Sequence, residues 1–311
     1  MNKAIVVVGM HRSGTSAISG LLDELGVFMG ENLYGPQKGV NEKGFFENIK
    51  VVKLNDKLFD ALYQSWDDPF AYNFEGAYSN SYEPFEAKTT SLLEREYGGH
   101  ELWGMKDPRT SLHLPFWHKQ ISQQNIEPCY LMMLRNPLEV VTSLKKRNGF
   151  STNKGLILWC NYTLSTYLFC HEKKFIVVDF NQLISAPEKV LNTVSKTFNL
   201  NLPKNNTSFI EKKLRNNISD ENASDTLSKL ALEIYQALRQ PTVDSKLIKS
   251  LTVKYTTYIT SFDSLFQEHC ISIKKKKVRY RGLFLNAHRS YWWKISWPLR
   301  KLENLINSHL N

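Results

Sequence analysis

The chain has 311 residues, 42% of them hydrophobic and 23% charged, which suits one large α/β domain or two small ones. It contains no apolar run of about 18 residues, so no membrane-spanning helix is expected, and its N-terminal AIVVVGM passes straight into HRSG rather than a small-residue cleavage site, so export is not expected either. The net charge of +10 is unevenly placed: Ile271–Asn311 carries ten Lys and Arg against the single acid Glu303, leaving thirty against twenty-nine in the first 270 residues. The chain therefore reads as a charge-balanced body, residues 1–270, and a basic tail, residues 271–311. Cys129, Cys160, Cys170 and Cys270 form no C-x-x-C pair, which suits reduced thiols in a cytoplasmic protein and gives no zinc spacing.

In chain order, Lys3–Val8 is a short β-branched run that predicts a buried parallel strand. Ser16–Leu25 carries Ile18, Leu21, Leu22 and Leu25 as a helical stripe that stops near Gly26. Gly30–Gly44 is rich in Gly, Asn and Pro and predicts a long functional loop. Glu47–Trp66 and Phe85–Glu96 read as helices, with an aperiodic aromatic stretch between them. Leu102–Lys106 is a strand ending in KDPR, and Thr110–Gln123 reads as a helix. Cys129–Leu134 is a strand that delivers Arg135, and Leu138–Lys146 follows as a helix behind Pro137. Leu156–His171 is helical, Phe175–Asp179 is a strand, and Pro187–Phe198 is a helix; Lys204–Phe266 is mostly helical. Strands alternating with helices predict an α/β fold, a P-loop-type parallel sheet flanked by helices. HRSGTS, KDPR and RNP each follow a strand, so all three should reach the sheet edge where ligands bind.

The first of these segments is built to hold an anion. Gly9 permits a sharp turn and Gly14 a close backbone approach. Successive N–H groups at a helix start attract negative charge. His11, Arg12, Ser13, Thr15 and Ser16 add a forked cation and further polar groups. The loop reads G-x-x-x-x-G-T-S, so Thr15 stands where a triphosphate-binding loop places lysine, and no acid at a strand end is a convincing Mg²⁺ ligand. Both features count against a kinase or nucleotide hydrolase.

The loop Gly9–Ser16 resembles the 5′-phosphosulfate loop of the sulfotransferases that use 3′-phosphoadenylyl sulfate (PAPS). Arg135-Asn-Pro-Leu-Glu-Val-Val-Thr-Ser143 is similar to that family's 3′-phosphate element, which implies that Arg135 and Ser143 hold the 3′-phosphate. The stretch VVDFNQLISAPEKVLNTVSKTFNL also resembles the family's usual sequel, with Phe180 where tyrosine is common. The likeness covers Lys3 to Leu200, and GMHRSGTSAISGLLDELGVFMG with NEKGFFEN is similar to a bacterial, carbohydrate-associated branch. It implies transfer of a sulfuryl group from PAPS to a hydroxyl, with no metal.

Such a transfer needs a cation on the moving oxygens and a base for the acceptor hydroxyl. The resemblance implies Arg12 as the first choice of cation. Lys106, carried by KDPR toward the same edge, is the second, while Asp107 and Arg109 equally suit an internal ion pair. Glu47, behind the apolar anchor Phe45-Phe46, is the chosen base; Glu42, His11 and His113 are rivals. Glu47 also suits a plain helix start. Lys154 and Trp159 are candidates to reach the donor's adenine or 3′-phosphate, although Trp159, in an apolar helix, suits the core better.

The tail joins the charge run KKKKVRYRG to Tyr291, Trp292, Trp293, Ile295, Trp297 and Leu299, interleaved with Lys294, Arg300 and Lys301. That pattern suits an anionic membrane surface, and a helix packed on the body competes with it. No nucleic-acid module is visible. The sequence thus predicts a PAPS-dependent sulfotransferase with a glycan or glycolipid acceptor, cytoplasmic or peripheral at the inner membrane face. The competing readings are a P-loop kinase or hydrolase and a non-catalytic membrane-associated nucleotide-binding protein.

Overall fold

The computed structural model describes residues 2–36, 44–203, 207–210, 225–260, 264–296 and 298–299. The chain divides into two compact units, 1–261 and 262–311. The first therefore closes before the change of composition at Ile271. It holds strands β1 (Asn2–Val8), β2 (Leu102–Lys106), β3 (Ile126–Leu134) and β4 (Phe175–Asp179). Its helices are α1 (Thr15–Glu24), α2 (Ile49–Ala61), α3 (Glu86–Tyr97), α4 (Leu114–Ser122), α5 (Pro137–Asn148), α6 (Thr152–Cys170), α7 (Phe180–Ser185), α8 (Pro187–Phe198), α9 (Thr226–Leu238) and α10 (Ser245–Thr260). The second unit holds α11 (Ser264–Arg289) and α12 (Tyr291–Ile295).

The four strands form one all-parallel sheet in the order β2-β1-β3-β4. The strand side chains alternate between two cores, because successive residues point to opposite faces. Ala4, Val6, Val8, Tyr130, Met132 and Leu134 pack on one face with α2 to α6, α9 and α10. Ile5, Val7, Cys129, Leu131 and Met133 pack on the other with α1, α7 and α8. Burial on both faces is why the strands read as unbroken apolar runs.

Two predicted helices are redrawn by their caps. The span Thr110–Gln123 splits into a 3-10 turn, Pro108–Leu112, whose start is capped by the Asp107 side chain on the Arg109 N–H, and then α4. The span Glu47–Trp66 shortens to α2, because the Asn48 side chain accepts from the N–H groups of Lys50 and Val51, and the helix ends before Tyr63 at φ 55°. Glu47 therefore lies just outside the helix.

Topology fixes where a ligand goes. From β1 the chain moves outward to β2, then returns across β1 to β3. The helix after β1 and the helix after β3 consequently pack on opposite faces: Ile18 and Leu21 of α1 join one core, Val140 and Leu144 of α5 the other. The two connections diverge and leave a crevice beyond the carboxyl ends of β1 and β3. Gly9 turns into it at φ 126°, and a Cβ there would stand 2.5 Å from the Met133 carbonyl oxygen. Gly9→Ala should lower unfolding free energy by roughly 2–4 kcal/mol. Gly149→Ala, at φ 68° with open space around it, should cost only about 1 kcal/mol. Urea midpoints of the two variants test the difference.

Candidate active site

The loop after β1 winds tightly. The Ser13 N–H donates to the Met10 carbonyl at 3.1 Å, and Arg12 takes φ 70°. Gly14, at φ 93°, precedes α1, and among the described residues no side chain caps that helix start. Its first N–H groups are thus directed at whatever enters the crevice. A Cβ on Gly14 would collide with the Phe180 ring at 2.3 Å. Phe180 also carries the Arg135 guanidinium 4.4 Å from its ring centre. Loop and arginine are therefore seated on the same aromatic plate.

Two sets of polar groups converge here. In the first, Arg12 Nε donates to Ser143 Oγ at 2.8 Å, and Arg135 Nη1 donates to the Arg12 carbonyl at 3.2 Å. Arg135 Nε pairs with Glu139 Oε2 at 2.8 Å, and both side chains are buried. These bonds cross the crevice between the β1 and β3 connections. They bring together three residues singled out in two distant segments. The Arg12 guanidinium is held below its ordinary pKa by burial and then by Arg135.

In the second set, the buried Lys106 ammonium donates to Ser16 Oγ at 3.1 Å, to the Phe45 carbonyl at 2.9 Å and to Glu47 Oε1 at 2.6 Å. All three donors of the ammonium are in use. The KDPR segment, the loop after β1 and the Glu47 region thus meet at one atom. Glu47 is fixed by its backbone: its carbonyl accepts from the Tyr34 N–H at 2.9 Å. Its neighbour Asn48 donates to buried Glu96, which also accepts from Asn32 and Lys50.

The other candidates fall around these two sets. Asp107 and Arg109 form the internal pair at 3.1 Å, and Arg109 also reaches Asp56 at 3.2 Å. Burial opposes the Arg109 charge, but Asp107 and Asp56 outweigh it and raise its pKa. Asp107 is tied further to Asn55, itself held by the Trp117 indole. Trp159 is fully buried and donates to the Arg135 carbonyl at 3.0 Å, so it supports the clamp from the core. Lys154 pairs with Asp67 at 2.8 Å. His113 is buried against Phe59 and Tyr82, and burial pulls its pKa down to about 3. It is a core residue. Glu42 lies outside the described residues.

Arg147, at the edge of the site, was not singled out from the sequence. Arg147 is exposed, with its guanidinium 5.6 Å from the Trp66 ring; desolvation followed by repulsion from Arg12 pulls its pKa down. Arg12 has no carboxylate ion pair among the described residues, whereas Arg147 donates to Asn148 Oδ1 at 2.6 Å and feels the Glu47 carboxylate. The signal was present in the sequence. Arg135, Glu139, Ser143 and Arg147 recur every four residues from the end of β3 along α5, and so share one face.

No protein-family model and no curated protein matches the sequence. Among solved structures, the chain is similar to the sulfotransferase domain from the curacin biosynthetic pathway. The identity is 12%, 82% of this chain and 98% of that one are covered, and the TM-score is 0.41. It is also similar to the sulfotransferase domain of the Synechococcus PCC 7002 olefin synthase, at 14% identity over 82% and 94% of the two chains, with a TM-score of 0.42. For sulfotransferase STF1 from Mycobacterium tuberculosis H37Rv the values are 14%, 65% and 69%, and 0.36. Each of these three is a sulfotransferase. At such identities and scores no residue role passes from them to this chain, and the reading of the site rests on its own groups.

His11 completes the crevice wall. Its ring is buried 4.6 Å from Trp66, and Nε2 has no hydrogen-bond partner among the described residues. Burial, then Arg109, Arg147, Lys106 and Arg12, hold its pKa well below 6.5. His11 should therefore show no imidazole titration between about pH 5 and 8. The check is an NMR titration with the signal assigned through His11→Gln; a midpoint near the ordinary value would contradict the burial and the surrounding positive field.

Proposed function

We propose that the chain is a PAPS-dependent sulfotransferase that acts on a hydroxyl of a carbohydrate or glycolipid. One observation carries the reading: two separate cationic sets flank a single uncapped helix start. Arg12, Ser143 and Arg135 form one, and Lys106 with Ser16 and Glu47 forms the other. A donor with a 3′-phosphate and a 5′-phosphosulfate needs two anion sites of this kind, and a nucleoside triphosphate needs only one contiguous cradle with a metal carboxylate. The residues present suit an anionic group: the helix start has no side-chain cap among the described residues, and Arg12 stands beside it.

When bound, PAPS supplies an activated sulfuryl group whose transfer releases adenosine 3′,5′-bisphosphate. The acceptor oxygen forms the new bond to sulfur, the sulfur–oxygen bond to the 5′-phosphate breaks, and the hydroxyl proton goes to Glu47. Arg135 and Ser143 would hold the 3′-phosphate, with Arg12 beside them. His11, Ser13, Gly14, Thr15 and Ser16 would frame the 5′ group. Lys106 is the better placed of the two proposed transfer cations, because it touches both Ser16 of the loop and Glu47, whereas the Arg12 guanidinium is turned to Ser143. To serve, Lys106 has to give up one of its three bonds. Surrendering Glu47 frees that carboxylate to accept a proton, so a single rotation readies both groups.

Calorimetry with adenosine 3′,5′-bisphosphate tests the donor half. The wild-type chain should bind it in preference to ATP, and Arg135→Ala should weaken binding on the order of a hundredfold through loss of charge-assisted bonds. Preference for ATP with Mg²⁺ would support the kinase reading instead. For the chemical half, a screen of glycans and lipid-linked sugars with radiolabelled donor identifies the acceptor. Glu47→Gln should then slow turnover by roughly 10²–10⁴ while bisphosphate binding is kept. Turnover surviving in that variant removes Glu47 as the base.

A further inference from the structure

The second unit carries a surface that the proposed chemistry does not use. Within the first unit, the exposed large apolar side chains among the described residues are Tyr34, Tyr63, Tyr72, Leu247 and Val253, scattered singly, as is ordinary for a protein surface. The much shorter second unit exposes twice as many, in clusters. Ile273, Tyr280 and Phe284 recur at spacings of seven and four along α11, with Leu283 beside them. Tyr291 and Trp292 are each 81% exposed, and Trp292, Ile295 and Leu299 recur at spacings of three and four. The first series matches the period of α11 and lies along one side of it, while Ile271 and Leu285 are exposed elsewhere on that helix; Trp292 and Ile295 share α12, and Leu299 is exposed beyond its end. Trp293 turns back on Phe284 and His288, at 6.1 and 5.3 Å, which fixes the bend between α11 and α12.

The charge around these side chains has one sign. Lys274, Lys275, Lys276, Arg279 and Arg289 stand on α11, and the sequence has no acid between Glu268 and Glu303. No described helix is long and apolar enough to cross a membrane. A helical segment of exposed tryptophan, tyrosine and aliphatic side chains mixed with lysine and arginine matches a lipid interface in both respects. Aromatic rings and aliphatic chains enter the headgroup boundary, while the long basic side chains reach the phosphates. A nucleic-acid surface would leave the aliphatic residues in water, and a self-paired helix would set like charges against one another.

We propose that the second unit binds the surface of an anionic lipid bilayer, lying in the interface without spanning it, through Tyr291, Trp292, Ile295 and Leu299 together with the basic residues of α11. This surface is independent of the sulfotransferase reading. If both hold, the enzyme works at a membrane, and a lipid-linked acceptor would be met where it is anchored.

Flotation of the full chain with vesicles tests the proposal. The vesicles are phosphatidylglycerol and phosphatidylcholine in equal parts, against pure phosphatidylcholine. The wild-type chain should float with the anionic vesicles only. Joint replacement of Lys274, Lys275 and Lys276 by glutamine should weaken binding by about fivefold for each lysine removed. Trp292→Ser with Ile295→Ser should weaken it at least about tenfold at unchanged charge. All variants should bind adenosine 3′,5′-bisphosphate like the wild type, which keeps a failure here distinct from a failure of the donor site. No binding to anionic vesicles overturns the proposal, and so does binding that both variants retain. A dimer in light scattering that the Trp292→Ser, Ile295→Ser variant dissolves, without vesicle binding, identifies a second copy as the occupant and overturns it equally.

Discussion

The contact on which the site depends is the approach of Gly9 to the Met133 carbonyl. At this point β1 and β3 lie side by side, and the chain must leave β1 without room for even a methyl group. Gly9 makes that exit possible, and its N–H donates to Ser111 Oγ at 3.0 Å from the segment after β2. One glycine thereby ties together the three connections that carry the functional groups. The tight turn that follows sends Arg12 across the crevice to Ser143 rather than along the loop.

Electrostatics explains why the site holds together while it waits for a ligand. Arg135 is paired with Glu139, Arg109 with Asp107 and Asp56, and Lys106 with Glu47. Each buried cation has a carboxylate, which limits the desolvation cost. Arg12 is the exception, with no carboxylate ion pair among the described residues, and it repels Arg147, which is exposed and feels Glu47 as well. The uncompensated charge is thus concentrated beside the helix start, where an anion gains most from it. His11 adds no charge there, because the same field keeps its ring neutral.

Much of this was readable in the sequence, for a physical reason. Buried parallel strands are unbroken apolar runs, so Leu102–Lys106 and Phe175–Asp179 were read to the residue, and the segments following the strands had to share an edge. What stayed hidden was set by direction and long-range contact. Nothing local in HRSGTS says that Arg12 leaves the loop, since that follows from a positive φ imposed by the turn. The meeting of Lys106 with Glu47, 59 positions apart, depends on how the segment before α2 is held. The break between Pro108–Leu112 and α4 was missed because Asp107 and Pro108 open a turn inside a run with helical periodicity.

The anchoring of Glu47 has a consequence for how such a fold can change. The bridge between Leu33 and Asn48, the Tyr34–Glu47 bond and the Ile49–Asn32 bond clasp the two ends of the intervening stretch like the base of a loop. Buried Glu96 rivets that clasp through Asn32, Asn48 and Lys50. Closing a longer loop on a fixed base costs little more than closing a short one. A change of length between Tyr34 and Phe45 would therefore leave the carboxylate and the Phe45 carbonyl in place beside Lys106.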